Sequence, residues 1–199
     1  MMNRTMQKIQ KIIVFSTIIA SGLLLLYALS FATTIFPLYS IGGGTPFYLT
    51  PEDEIVFVEL DTFFYDIQPF NHAILNYAVI SFIIVIVIFI FNNSGRKNYY
   101  VTNYVSSIAY FIYSIYVFVT LIPYLAPLRE RYLNVDWTYW IVKGYLYWES
   151  PFIFDFGYII LAFYLLSGIG VMFFAVYHFI TQSKSSKKSS IESGAASHV

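Results

Sequence analysis

The chain concentrates its acidic residues in one short stretch. Six of its eleven carboxylates lie between positions 52 and 66, and the stretch contains no lysine or arginine. Clustered carboxylates can bind calcium, which takes about six to eight oxygen ligands. Their spacing lacks the alternating oxygens and central glycine of an EF-hand loop, so we predict no metal site. We interpret them instead as a surface that contacts a cationic partner, the simpler alternative being a solvated face. They are Glu52, Asp53, Glu54, Glu59, Asp61 and Asp66.

Asp155 stands at the mouth of a long apolar run, where a carboxylate is costly unless it has a partner. Arg129, Arg131 and Lys143 are the cations of the second outer loop that could pair with it. We predict an ion pair with Arg129 or Arg131, the alternative being simple exposure at an interface. His72 and His178 fall at opposite ends of their apolar runs, so they cannot share a metal ion.

Reaction chemistry has little support in this sequence. There is no cysteine, which excludes thiolate metal sites and cysteine nucleophiles. There is also no H-E-x-x-H sequence, Walker loop or nucleophile motif. The net charge of zero gives no reason to expect a nucleic-acid partner. We therefore predict that the protein is not an enzyme and that it carries no cofactor.

The elements that must position these residues are membrane spans. The chain is 58% hydrophobic and only 11% charged, whereas an average soluble domain is about 25% charged. Four apolar runs are long enough to cross a hydrocarbon core of about 30 Å. We expect an all-α membrane protein, a four-helix bundle in contact with the lipid bilayer. The predicted spans are residues 12–36, 73–91, 101–122 and 156–180.

The two ends of the chain flank this membrane domain. Residues 1–11 are basic, and together with the first run they resemble a signal peptide. The apolar part is longer than the roughly 7 to 15 residues of a signal sequence, so we favour an uncleaved span. Residues 181–199 contain lysines among serines and are predicted to be a disordered tail.

Basic residues predict the orientation. Eight of the eleven lie before span one, between spans two and three, or after span four, and positively charged segments stay in the cytoplasm. Both termini are therefore predicted to be cytoplasmic. The composition indicates an AT-rich genome, typical of a bacterium, and we expect a multi-pass protein of its cell membrane.

The predicted outer loops, residues 37–71 and 128–150, contain strand-like sequences. Ile55 to Val58 is β-branched and aromatic, and Leu133 to Ile141 alternates with a period of two. We predict that these stretches form a small extracellular cap with short β-strands. The competing interpretation of the second stretch is an interfacial helix with Trp137 and Trp140 on one face. On either interpretation, these two tryptophans are candidates for partner contact.

Small residues inside the spans indicate where helices approach each other closely. The candidates are Ala28 and Ala32 in the first span, and Gly168 and Gly170 in the fourth. Tyr110, Tyr113 and Tyr116 form a row in the third span. We interpret this row as packing, with hydroxyls bonded between helices, rather than as the lining of a polar path.

This layout of four spans, two inner ends and two outer loops with strand character resembles the claudin-like tetraspan arrangement in topology only. The first outer loop contains no tryptophan and the chain no cysteine, so no claudin residues are carried over. The sequence predicts a non-catalytic accessory or scaffold subunit that presents an acidic face to a membrane or extracellular protein. The alternative is a subunit of an oligomeric channel or small-solute permease. Homo-oligomerisation is compatible with both.

Overall fold

The computed structural model describes residues 4–32, 51–93, 100–142 and 150–196. Within these ranges every regular element is helical. Four helices are long and apolar enough to cross a membrane, over Lys8–Phe31, Val58–Phe91, Tyr104–Asn134 and Phe152–Thr181. The prediction of an all-α, four-span membrane protein is confirmed at this level. The helices are α1 (Arg4–Ala32), α2 (Pro51–Asn93), α3 (Tyr100–Asn134), the short α4 (Trp137–Val142) and α5 (Phe152–Ala196).

The four long helices form a ring in which α1 packs on α2 and α5, and α3 packs on the same two helices. Neighbours run antiparallel. Ser21 of α1 meets Ser81 of α2, whereas Phe31, later in α1, meets Asn71, earlier in α2. The pairs of α2 with α3 and of α3 with α5 follow the same order. The result is an up-down bundle whose core contains fully buried side chains from every long helix, among them Leu24, Ile74, Leu121 and Leu161.

In lipid, an α-helix satisfies the hydrogen bonds of its backbone within its own segment. This explains why α2 and α3 continue through Pro69, Pro123 and Pro127, residues that commonly interrupt helices in water. Side-chain oxygens accept hydrogen bonds from some of the free backbone amides at the starts of helices. Asp136 caps α4 by accepting a hydrogen bond from the Tyr139 amide at 3.1 Å, and the Ser150 hydroxyl accepts one from the Phe152 amide at 3.3 Å.

The prediction of strands at Ile55 to Val58 and at Leu133 to Ile141 is wrong. The first stretch lies inside α2, and the second comprises the end of α3, a two-residue break and most of α4. β-Branched and aromatic residues favour strands only where a sheet surface is available to pack them. Here the first stretch continues into a transmembrane helix. Residues 143–149, the other half of the proposed hairpin, lie outside the described residues.

All four long helices extend beyond their predicted spans, and α1 does so by beginning at Arg4. α2 begins at Pro51, so the acidic stretch is helical and belongs to the second span's own helix. α3 continues past Pro123 to Asn134. α5 continues to Ala196, where a disordered tail was expected. A helix already nucleated in the membrane extends at little cost into a tail containing Lys, Ala and Glu. Residues 33–50, which include the end of the predicted first span and the start of the first loop, are outside the described residues.

Candidate functional site

Two ion pairs join three helices at one end of the bundle. Arg129 Nε of α3 lies 3.0 Å from Asp155 Oδ1 of α5, and Arg131 of α3 pairs with Asp66 of α2. We call this the acidic end. The two arginines are two positions apart on α3, so their side chains reach in different directions, toward α5 and α2. All four side chains are at least one-third exposed, so each pair adds at most about 1 kcal/mol to stability.

An aromatic cluster supports the ion pairs from inside. Tyr132 stacks on Trp137 with ring centroids 4.5 Å apart, and Phe63 of α2 packs edge-on against both rings. Trp137 Nε1 donates a hydrogen bond to the Tyr132 carbonyl at 2.6 Å. The Tyr132 hydroxyl in turn accepts one from the Ser150 amide at 3.1 Å. Tyr132 therefore connects α3, α4 and the start of α5.

The structure places the two predicted contact tryptophans inside the protein. Trp137 is 5% exposed and Trp140 is fully buried, so neither offers a surface to a partner. Of the two interpretations made from the sequence, the short helix is closer to the observed structure, since both residues lie on α4. Its two tryptophans face the inside of the bundle. These tryptophans hold α4 in place.

Carboxylates without an ion-pair partner among the described residues remain at the acidic end. Glu59, Glu130 and Asp136 are all exposed, whereas Arg129 and Arg131, the arginines at this end, are already paired. The side chains of Glu52, Asp53, Glu54 and Asp61 are outside the described ones, although all four residues belong to α2. Among the described residues, no group of three or more His, Asp or Glu side chains is arranged to hold a metal ion.

The four small-residue candidates have different surroundings. A methyl group at Gly168 would overlap the Ser114 side chain of α3, so α3 and α5 touch at this position. At Gly170 it would meet nothing within 4 Å. Ala28 is fully buried in the core, and the Ala32 side chain is outside the described ones. Gly157, which the sequence did not single out, lies against the Tyr27 ring and hydroxyl of α1.

A hydroxyl network at the centre of the bundle was not predicted as a unit. The Tyr110 hydroxyl of α3 lies 2.8 Å from Ser167 Oγ of α5 and 3.4 Å from Ser21 Oγ of α1. Ser21 is 3.3 Å from Ser81 of α2, which bonds the Tyr164 hydroxyl of α5. One network thus contacts all four spans, and its five members are buried. Helical spacing could not reveal it, because the pairing depends on how the helices are arranged around the core.

The other end of the bundle contains a small cavity of about 40 Å³, lined mostly by apolar side chains with a few polar ones among them. We call this the basic end, because Lys8 and Lys11 of α1 lie there. His178 Nδ1 and the Tyr104 hydroxyl, 2.6 Å apart, line it together with Gln10 and Ser107. This volume suits one or two water molecules. His72 lies exposed near the acidic end, so the two histidines are separated by most of the bundle.

Comparisons of the chain with protein-family models, with curated proteins and with solved structures found no match.

Proposed function

We propose that this protein is a non-catalytic accessory or scaffold subunit of the cell membrane, with its acidic end outside the cell and a protein partner bound there. The observation that carries the proposal is the charge arrangement at that end. Arg129 and Arg131 are occupied by Asp155 and Asp66, so the other carboxylates are not neutralised from within the described part of the protein. A cationic surface on the partner would complement them.

The packing of the bundle favours a scaffold function and argues against a pore that runs through a single copy of the protein. Large buried side chains fill the space between the four spans, among them Tyr110 and Tyr164. The hydroxyls of these tyrosines are bonded to serines of neighbouring helices. A conducting path requires polar groups facing open space, whereas these groups face one another. The alternative function is a subunit of an oligomeric channel or permease, and the experiment must distinguish it from the scaffold.

The test neutralises the exposed carboxylates. A variant with Glu59→Gln, Glu130→Gln and Asp136→Asn removes three charges, and asparagine at position 136 retains the cap on α4. Tagged wild-type and variant proteins are purified from native membranes in mild detergent, and co-purifying proteins are quantified by mass spectrometry. We expect a specific partner whose recovery falls about three- to tenfold in the variant and also falls with added salt.

Glu192→Gln is the control, because it removes a carboxylate from the distal end of α5, and it should leave recovery unchanged. Equal recovery with the triple variant would contradict the acidic end as the binding surface. Ion or solute flux through liposomes containing the purified protein alone would instead favour the channel.

A further inference from the structure

Among the described parts of the four spans, the outward-facing surface of the bundle has one polar interruption near mid-depth. At 1.5 Å per residue, Tyr77 is about 16 Å along α2 from Asp66, and Tyr116 is about 20 Å along α3 from Arg129. Tyr116 is also about 18 Å from Tyr104, near the basic end. A hydrocarbon core of about 30 Å placed between the two ends puts Tyr77 and Tyr116 close to its midplane.

Asn76 and Tyr116 are both exposed at this depth, Tyr116 with 51% of its surface accessible. The other exposed side chains at mid-depth, among the described parts of the four spans, are aliphatic, alanine or phenylalanine. Polar side chains that face lipid cost free energy unless they have hydrogen-bond partners. We call Asn76, Tyr77, Tyr113 and Tyr116 the midplane patch.

Hydrogen bonds within the midplane patch do not use all of its donors. The Tyr77 and Tyr116 hydroxyl oxygens are 3.2 Å apart, and one hydrogen occupies the space between them. The hydrogen of the other hydroxyl has no acceptor among the described residues. Tyr113 donates to the Tyr77 carbonyl at 3.3 Å. The Asn76 amide, next to Tyr77 on the same turn, has no hydrogen-bond partner in the described part of the chain.

We infer that the midplane patch is an interface between two copies of this chain, related by a two-fold axis along the membrane normal. Such an axis brings each residue of one copy to the same depth as its counterpart in the other. Both the asparagine amide and the tyrosine hydroxyl are donors as well as acceptors, so the midplane patch is complementary to itself. It is also uncharged, so two copies do not repel each other there.

The surroundings of the midplane patch suit close helix contact. Ala73 of α2 and Ala109 of α3 leave little side-chain bulk beside it, and small residues let spanning helices approach each other. Ile80 and Ile112 are exposed on its borders and would pack across the axis. This inference concerns the lipid-facing side of α2 and α3, so it is independent of the function proposed for the acidic end.

The first experiment measures dimerisation in liposomes by energy transfer between labelled copies over a range of protein-to-lipid ratios. We expect a reversible dimer for the wild type. Asn76→Leu with Tyr116→Phe should weaken it about tenfold or more, since two hydrogen-bonding groups are lost from each copy. Tyr177→Phe, which removes an exposed tyrosine hydroxyl from α5 instead, should not change it. A wild type that stays monomeric at every ratio, or a dimer that the double variant does not weaken, would overturn the inference.

A second experiment does not disturb the midplane patch and identifies the occupant. Because the chain has no cysteine, a single Ile112→Cys can form a disulfide only with another molecule. Oxidation in native membranes should give a homodimer of the tagged chain, and Leu166→Cys, exposed at mid-depth on α5, should not crosslink. A disulfide to a different membrane protein, or no product from Ile112→Cys, would show that a second copy does not occupy this surface.

Discussion

Gly168 and Gly170 are two positions apart on α5, but their surroundings differ. A Cβ atom at Gly168 would overlap Ser114 of α3, whose hydroxyl is bonded to its own helix at the Phe111 carbonyl, 2.8 Å away. A Cβ atom at Gly170 has open space. The hydrogen bond fixes the Ser114 side chain, so it cannot easily move aside. The close approach of α3 and α5 therefore depends on the missing side chain of one glycine.

We predict that Gly168→Ala destabilises the protein by about 1 to 3 kcal/mol, the usual range for overpacking. Gly170→Ala should be neutral or stabilising by up to about 1 kcal/mol, since alanine favours the helix more than glycine does. Thermal unfolding of the two purified variants in the same detergent is the measurement. Equal melting temperatures would mean that α3 and α5 separate at this position without cost, and would contradict the contact.

At the scale of single residues, sequence spacing identified candidates but not their neighbours. The glycine pair was visible as a motif, yet only the structure separates the packed glycine from the open one. The same limit applies to Tyr110, Tyr113 and Tyr116. Their row suggested hydroxyls bonded between helices, and the structure shows such bonds to Ser167, to the Tyr77 carbonyl and to the Tyr77 hydroxyl. Which partner each tyrosine has depends on the ring order of the helices.

At the level of helices and strands, the sequence correctly predicted the segments that must cross lipid. It wrongly predicted the structure of the segments outside the apolar runs. Apolar length alone identifies the four spans, because a helix must be long and apolar to cross the hydrocarbon. Outside the apolar runs, the length of a run no longer determines the secondary structure. There the period-two alternation of the sequence and the β-propensity of its residues wrongly favoured strands at Ile55 to Val58 and Leu133 to Ile141. The break between α3 and α4 depends instead on side-chain contacts across it, namely the Trp137 ring stacked on Tyr132 and the hydrogen bond from Trp137 Nε1 to the Tyr132 carbonyl.

The position of α4 therefore depends on Trp137. We predict that Trp137→Ala lowers the free energy of unfolding by about 3 to 5 kcal/mol, the cost of removing a buried aromatic ring. It should also raise proteolysis between α3 and α5. Val142→Ala is the matched control on the same helix, because Val142 is 81% exposed, and it should cost less than about 0.5 kcal/mol. The measurements are thermal unfolding and limited proteolysis in detergent. A Trp137→Ala protein as stable as the control would mean that α4 is not held by this ring.

At the scale of the whole molecule, the charges are segregated along the bundle axis. The carboxylates with described side chains and the two paired arginines occupy the acidic end, whereas Arg4, Lys8, Lys11 and Glu192 belong to helix segments at the basic end. The antiparallel order of the four spans places the end of α2 at Asn93, the start of α3 at Tyr100 and the part of α5 after Thr181 at that same basic end. Positively charged segments remain in the cytoplasm during insertion. By this rule we expect the basic end inside.

We predict that the basic end faces the cytoplasm, and a cysteine-free chain lets single cysteines test this. In intact cells, cysteines at Ser94 and at Ser186 should not react with a membrane-impermeant maleimide, because both positions adjoin the basic segments. A cysteine at Thr50, directly before α2, should react. Permeabilised cells are the control, since all three sites should then be labelled. Labelling at Ser94 in intact cells, with Thr50 protected, would reverse the orientation and place the acidic end inside the cell. An extracellular partner would then be excluded, although the packing of the bundle would be unchanged.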